Sequence, residues 1–220
     1  MKEEINPNRK LESVIKNSDL SSLVTEYGEL ALDSIIDDGV LRDFPVVGTV
    51  IGLMKFGSSI NQHFTAKKLY KFLFELKDIS QKQRNEKINE INNSKKYQSS
   101  VGELIFEFLD KIDSDGKPEI IGRLFKAVIE EKIDFNEYLR LTHIIKTAFY
   151  FDLVNFNQSI YLEENNWSIE RFIGENRFTI PAFGGNFDGN KEFYLNGMII
   201  NKFSSLTRLG RVFVGIGMKK

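Results

Sequence analysis

Cysteine is absent from this 220-residue chain, and histidine occurs only twice. The lack of thiols excludes disulfide bonds, cysteine nucleophiles and cysteine-ligated zinc, which fits a protein of the cytosol or of the cytosolic side of a membrane. The two histidines, His63 and His143, have no second ligand-type residue at a recognised metal spacing. We therefore expect no metal site.

Sequence motifs of catalysis and of cofactor binding are missing as well. The chain has no Walker pattern and no dinucleotide-binding fingerprint. The turn Asp113-Ser114-Asp115-Gly116 fails as a calcium loop, because its glycine comes too early and Leu124 stands where the bidentate glutamate belongs. Nothing in the sequence places two carboxylates in a shared apolar pocket. The expectation is a protein that is not an enzyme and that has no cofactor.

The first thirty residues are charged and lack an uninterrupted apolar run, so we expect any membrane to be reached from inside the cell. The formal net charge is only −1, but the signs are segregated along the chain. Residues 1–43 hold ten acidic against five basic residues, and residues 62–96 hold nine basic against four acidic. Residues 193–220 hold five basic residues and no acid. Local clusters set surface potentials, so these two basic stretches carry more information than the total.

The stretch Phe44–Phe64 is too apolar for a surface helix and unusually rich in glycine for a buried one. As a helix it would span roughly 30 Å, about the hydrocarbon thickness of a bilayer. Gly48 and Gly52 form a G-x-x-x-G pair, which lets two helices approach closely in a membrane. We predict a membrane-active helix that mediates homo-oligomer contacts, with Phe44, Gly48, Gly52, Lys55 and Phe56 as its principal residues.

Three interpretations of this segment are open. Lys55 lies in mid-span and the second half is polar, which a permanent transmembrane helix tolerates poorly. The segment could instead be a buried helix of a soluble protein. It could also be sheltered in one state and enter a membrane in another. The basic residues that follow it suit the cytosolic flank of a membrane anchor, and they equally suit an ordinary solvated helix face.

Helical periodicity dominates the first 157 residues. Residues 7–38 are predicted as helix, and Asp134 with Glu137 predicts the capping box of another. The polar stretch 85–100 is interpreted as a link between two regions. The predicted domains are residues 1–98, which include the membrane-active segment 44–64, and residues 99–157, a three-helix bundle.

After residue 157 the pattern favours β-structure. Runs typical of strands occur at 177–183, 193–195, 198–203 and 212–216, and Asn196-Gly197 suits a hairpin turn. Residues 158–220 are therefore predicted to form a small, winged-helix-like α+β unit with a basic C-terminal end. The fold class predicted for the whole chain is mainly α, with N-terminal helices, the central bundle and this small C-terminal unit.

The basic C-terminal end is the best candidate for a ligand site. Cations and aromatic side chains alternate there, which suits phosphate binding and base stacking. The alternative is that the aromatic side chains fill a small core and the cations are merely solvated. The predicted phosphate- or base-binding residues are Lys202, Arg208, Arg211, Phe193, Tyr194 and Phe203.

Two segments, Gly39–Gly48 ahead of the apolar helix and Gly122–Ile129 in the bundle, resemble bacterial proteins encoded beside anti-phage genes. The arrangement over roughly residues 20–155 is similar to the membrane-channel effector of the Hailong defence system. The resemblance implies an oligomeric effector, held closed until an oligonucleotide made by a partner nucleotidyltransferase releases it. The motifs carry no functional residue across.

The leading hypothesis is therefore an anti-phage defence effector, active in abortive infection, that forms a channel in the inner membrane or perturbs it. A nucleotide or single-stranded oligonucleotide signal would trigger it. We expect it at the cytoplasmic face of the inner membrane, or in the cytoplasm until activation. The alternative is a soluble helical module that binds nucleic acid or regulates a partner and has no membrane activity.

Overall fold

The computed structural model describes residues 7–21, 23, 59–94, 96–97, 99–150, 153 and 208–218. These residues contain seven α-helices and one π-helical turn, and no strand occurs among them, so the mainly α prediction is confirmed for this part of the chain. The helices are α1 (Pro7–Asn17), α2 (Ser59–Phe74), α3 (Gln81–Asn93), α4 (Val101–Lys111), α5 (Lys117–Ile129), α6 (Phe135–Thr147) and α7 (Arg208–Val212), which continues into the π-helical turn Phe213–Gly217.

The chain divides into two compact units, Met1–Lys132 and Ile133–Lys220. In the first, α1 packs against α3 and α4, α2 packs against α4 and α5, and α3 contacts α4 and α5. Helices on either side of residue 98 thus belong to one compact unit. The second unit contains α6, α7 and the π-helical turn.

The core of the first unit is built from apolar stripes at helical spacing. Leu69, Phe72 and Leu73 of α2 are buried as their periodicity predicts, and the Phe72 ring lies 5.9 Å from that of Phe125 on α5. Burial of such a side chain contributes about 1.5–3 kcal/mol, so this seam accounts for much of the hydrophobic stabilisation between the two helices.

Helix α5 lies unusually close to α2 at Gly122. A Cβ atom at this position would stand 2.8 Å from the Phe72 carbonyl oxygen and 2.9 Å from the Glu75 Cβ. Only glycine leaves room for the α2 backbone there. The close approach also brings the charged edges of α2 and α5 within reach of each other.

Four ion pairs join α2 and the turn that follows it to α5 and the turn that precedes it, and in each pair the two residues are 48 positions apart in the sequence. Lys71 pairs with Glu119 at 2.8 Å, Glu75 with Arg123 at 2.8 Å, and Asp78 with Lys126 at 3.1 Å. Lys67 pairs with Asp115 just before α5. The constant offset means that α2 and α5 run parallel. The base of the pair comes from the α2 side in the first two pairs and from α5 in the last two. A shift of one helix along the other by two pairs would therefore place like charges opposite each other.

Three helices begin with a capping box, in which the N-cap side chain and the third helical residue bond each other's backbone N–H groups. Asp134 and Glu137 form the box that the sequence predicts, at the start of α6. Ser80 with Gln83 begins α3, and Ser100 with Glu103 begins α4. Each box satisfies two backbone donors at an otherwise unpaired helix end.

Two predictions about the first unit are wrong. The single helix expected over residues 7–38 is interrupted after Asn17, because the Asp19 carboxylate accepts hydrogen bonds from the backbone N–H and the hydroxyl of Ser21 and turns the chain. Residues 22 and 24–38 of that prediction lie outside the described residues. The link expected over 85–100 is helical as far as Asn93, since α3 buries Ile88 and Ile91 despite its polar composition.

The strand expected over Val212–Ile216 is also wrong, and the winged-helix prediction has no support in the described residues. Leu209, Phe213 and Gly217 are buried at spacings of four, which is the period of one helix face. This helical burial overrides the β-propensity of the valines and isoleucine. The other predicted strands, the hairpin turn and residues 44–58 of the apolar segment lie outside the described residues.

Candidate functional site

Arg208 and Arg211 are the members of the predicted ligand site that the structure describes. Arg208 begins α7 and Arg211 lies near its end. Both side chains are exposed, and their spacing of three residues puts them on neighbouring parts of one helix face. The remaining predicted site residues lie outside the described residues: Lys202, Phe193, Tyr194 and Phe203 at the ligand site, and Phe44, Gly48, Gly52, Lys55 and Phe56 in the apolar segment.

The segment that carries the two arginines buries its apolar side and exposes its basic side. Leu209 and Phe213 are buried, whereas the arginines point outward. At Phe213 the helix widens, because the Met218 N–H donates to the Phe213 carbonyl, five residues back, at 3.0 Å. Such π-helical turns are often found at functional sites.

Arg208 is paired with Glu137 of α6 through both ends of its guanidinium. Nη1 lies 3.1 Å from Glu137 Oε1, and Nη2 donates to Oε2 at 3.3 Å. The arginine side chain is 72% exposed and the glutamate side chain 11%. The carboxylate is therefore held in the protein surface, and the guanidinium lies over it within reach of solvent.

Glu137 has a second role as the third residue of the α6 capping box. Its Oε2 accepts from the Asp134 N–H at 3.1 Å, and its own N–H donates to Asp134 Oδ1 at 2.7 Å. A negative charge in the first turn is also favoured by the helix dipole. The capping box thus fixes the carboxylate where Arg208 meets it.

The body of α6 beneath this pair is apolar. Tyr138 is fully buried and its ring stacks on Phe135 at 5.5 Å. Burial raises the pKa of Tyr138, and the Thr142 hydroxyl one turn later opposes this shift only in part. Tyr138 therefore stays neutral at physiological pH and supplies no charge to the site.

Several lysines of the other basic stretch, residues 62–96, pair within the first unit. Lys67 and Lys71 pair with the acids of the ladder, and Lys68 Nζ donates to the Ile112 carbonyl at 2.7 Å. Their side chains are largely covered, with Lys67 15% and Lys71 12% exposed. Lys67 and Lys71 thus have carboxylate partners at the start of α5, and Lys68 has a carbonyl partner at the end of α4.

Arg84 of α3 is the most deeply buried cation of that stretch, at 2% exposure. It donates to the carbonyl oxygens of Ile15, Ser18 and Ile79. The first two belong to the C-terminal end of α1, where unpaired carbonyls and the helix dipole favour a cation. Burial lowers the pKa of Arg84, and the nearby Asp19 charge opposes that shift. Arg84 is thus a structural clamp on α1.

An acidic groove of about 330 Å³ lies beside α3 and the end of α5. Lys87 crosses it and donates to Glu90 at 2.6 Å and to Glu131 at 2.7 Å. Burial opposes the charge of Lys87, but these two carboxylates outweigh it and raise its pKa. Glu131 has φ 59°, the left-handed conformation of the residue that follows a helix in a Schellman motif. The hydrogen bond from Lys87 to Glu131 therefore joins the C-terminal end of α5 to α3.

The turn that superficially suggests a calcium loop is occupied by ammonium groups. Lys117 is fully buried and donates to Asp113, and Lys67 pairs with Asp115. Across the described residues, no group of three or more acidic, histidine or cysteine side chains is placed to hold a metal ion. His143 is exposed on α6.

The described helices include none that combines the length and the apolar character needed to cross a bilayer. No protein-family model, no curated protein sequence and no solved structure matches this chain. The class that the structure supports is therefore a mainly helical, bundle-like protein. The resemblance to the Hailong effector stays a prediction from the sequence.

Sequence reasoning missed Glu137 as the partner of Arg208. The C-terminal stretch contains no acid of its own, and Glu137 lies 71 positions away, in the next-to-last described helix. Its position in a capping box was a visible signal, but that signal predicts only a helix start. No local pattern indicates which cation will meet the carboxylate.

Proposed function

We propose that this protein is an anti-phage defence effector that acts on the inner membrane when a nucleotide or single-stranded oligonucleotide binds its basic C-terminal end. In this proposal the segment Phe44–Phe64 is packed away at rest and meets the membrane after activation. A homo-oligomer forms through Gly48 and Gly52, and a partner nucleotidyltransferase supplies the signal. The protein has no catalytic role of its own.

The observation that carries the proposal is the outward placement of Arg208 and Arg211 on one face of a segment without acidic residues. Guanidinium groups bind phosphate oxygens with paired donors, and two of them side by side suit adjacent phosphates of a strand. The lysines after the apolar segment offer no comparable site, since their ammonium groups pair within the first unit.

The anchoring of α2 supports the idea of a sheltered segment. The last six residues of the segment, Ser59–Phe64, form the start of α2, and α2 with the turn that follows it is joined to α5 by the four-pair ladder and by the close approach at Gly122. A fixed α2 gives the segment a rigid base in both states. Phe64, the last residue of the segment, is 51% exposed on α2 and offers an apolar surface there.

Vesicle leakage tests this proposal. Purified protein is added to vesicles of phosphatidylethanolamine and phosphatidylglycerol loaded with a self-quenched dye, with and without mono- and oligonucleotides. We expect leakage that depends on the nucleotide, and its loss in Gly48→Leu with Gly52→Leu, because the leucines prevent close helix contact. Val46→Leu with Val50→Leu has the same spacing on another face and should leak like the wild type. Leakage by the glycine double variant at the wild-type rate, or no leakage with any nucleotide, would contradict the proposal.

A soluble helical nucleic-acid-binding or regulatory module is the second candidate. It is favoured by the internal pairing of Lys67, Lys68 and Lys71, which leaves little charge for an anionic lipid surface beside the apolar segment. This candidate predicts salt-dependent binding of a strand and intact vesicles under every condition. The leakage assay with a parallel binding measurement therefore separates the two.

A further inference from the structure

The pair between Arg208 and Glu137 has the geometry of a guanidinium bound to a bidentate anion. Two carboxylate oxygens face two guanidinium nitrogens at 3.1 and 3.3 Å. Phosphate presents its oxygens to arginine in the same two-point manner. The carboxylate thus occupies the coordination that a ligand phosphate would take.

The contact is open to competition from solvent. With its side chain 72% exposed, Arg208 can be reached by an anion without any movement of the buried part of the unit. Water and salt screen the exposed guanidinium of Arg208, so a ligand that offers more than one phosphate can compete with the carboxylate for it.

Glu137 can lose Arg208 without becoming an unpaired buried charge. Its Oε2 also accepts from the Asp134 N–H, and it stands in the first turn of α6, where the helix dipole stabilises a negative charge. Release of the arginine therefore leaves the carboxylate with a partner and leaves the capping box intact. This lowers the cost of exchange.

We infer that Glu137 is an internal occupant of the anion-binding site, so that a ligand phosphate displaces its carboxylate from Arg208. The inference rests on the proposed function, since it assigns the regulation of the same site. In the ligand-free protein the pair holds the start of α7 against the start of α6. Ligand binding breaks the pair between Arg208 and Glu137. The binding of the ligand is thereby coupled to the position of the C-terminal segment.

Glu137→Gln isolates the charge from the capping role, because glutamine also serves at the third position of a capping box. Binding of fluorescein-labelled oligodeoxythymidylate is measured by fluorescence anisotropy at low salt. We expect the variant to bind about two- to five-fold more tightly than the wild type, which is the range set by the strength of an exposed ion pair. Unlabelled ATP as a competitor distinguishes a site for a single nucleotide from one that needs a strand.

Glu103→Gln is the matched control. Glu103 occupies the same position in the capping box of α4, so the substitution makes the same change in net charge and capping chemistry away from Arg208. It should leave the affinity unchanged. The gain from Glu137→Gln should also vanish when Arg208→Gln is already present, because the competing pair no longer exists.

The outcomes separate the inference from the proposed function. If the wild type binds the strand, Arg208→Gln weakens binding and Glu137→Gln has no effect or weakens it, the site stands and internal competition is overturned. An equal gain from Glu103→Gln would overturn it too, since net charge alone would explain the result. If neither the wild type nor Glu137→Gln binds, both the inference and the proposed signal site are overturned.

Discussion

Lys67 and Arg208 both belong to basic stretches of the sequence, but the structure uses them differently. The Lys67 side chain is 15% exposed and pairs with Asp115 at the foot of the ladder between α2 and α5. Arg208 is 72% exposed and has Glu137 beneath it. The cations of α2 in the ladder are largely covered, and the two arginines at the described C-terminal end face outward.

The difference shows that the charge in a sequence is not the charge offered to a ligand. Residues 62–96 contain more basic residues than the C-terminal stretch, yet several of them bond to carboxylates or backbone carbonyls of the first unit. Neutralised and partly buried cations contribute little to the potential that steers an anion. The smaller basic cluster is therefore the better anion-binding candidate.

The largest effect is expected from Arg84, the buried cation that bonds three backbone carbonyls. Arg84→Met leaves carbonyls of Ile15, Ser18 and Ile79 without their donor, and each buried acceptor left unsatisfied costs about 1–3 kcal/mol of unfolding free energy. Urea unfolding followed by circular dichroism measures it. If methionine prevents folding, Arg84→Lys should fold with an intermediate loss.

Lys82→Met on the same helix is the control for Arg84. The Lys82 side chain is 83% exposed, so its substitution should change the unfolding free energy by no more than about 0.5 kcal/mol. Similar losses in the two variants would show that Arg84 is not the clamp that its contacts indicate.

A smaller effect is expected where α2 and α5 come closest. Gly122→Ala places a methyl group 2.8 Å from the Phe72 carbonyl oxygen, which is backbone and yields only if the helices move apart. We expect a loss of about 1–3 kcal/mol, measured by thermal unfolding.

Gly215→Ala provides the comparison for Gly122, because its Cβ would meet nothing within 4 Å. That substitution should leave the free energy of unfolding unchanged or raise it by up to about 1 kcal/mol, because alanine reduces the conformational entropy of the unfolded chain. A stable Gly122→Ala variant with an unchanged melting temperature would mean that the two helices are not held at the distance described.

The smallest effect concerns the pairing of the buried Lys117. Burial raises the pKa of Asp113, but the hydrogen bond from Lys117 and its positive charge lower that pKa by more. The pKa of Asp113 therefore lies below the ordinary value of 3.8. A carboxyl with a lowered pKa in the folded state contributes stability that is present above its unfolded pKa and is lost as the pH falls through the folded one.

Asp113→Asn should therefore be less stable than the wild type by about 0.5–1 kcal/mol near neutral pH, and the difference should disappear under strongly acidic conditions. Urea titrations at several pH values measure this. A difference that stays constant as the wild-type carboxyl becomes protonated would exclude the charge of Asp113 as its cause.

Local signals predicted much of the helical structure from the sequence. The Asp134 capping box and the buried face of α2 depend on residues within a few turns of each other, and both predictions are confirmed. The ladder could not be foreseen, because its constant offset has meaning only once α5 is known to lie parallel to α2. The burial of Arg84 and the pairing of Arg208 are likewise tertiary.

The incorrect predictions for α3 and for Val212–Ile216 also arise because tertiary packing determines the structure there. Helix α3 looked like a link because few of its residues are apolar, and its packing against α1, α4 and α5 determines its structure. At Val212–Ile216, β-branched composition outweighed the spacing of Leu209 and Phe213, although that spacing indicates a helix face. Of the candidate site, the two arginines were predicted from charge, while Glu137 was not.

The salt dependence of strand binding tests most directly whether the outward arginines, and not the more numerous internal lysines, bind the ligand. Arg208→Gln with Arg211→Gln should weaken binding of oligodeoxythymidylate and reduce the slope of log affinity against log salt by about 1.4, or about 0.7 for each lost phosphate contact. Lys67→Gln with Lys71→Gln makes the same change in net charge and should leave the slope unchanged. An equal reduction in the lysine variant, or none in the arginine variant, would contradict the account.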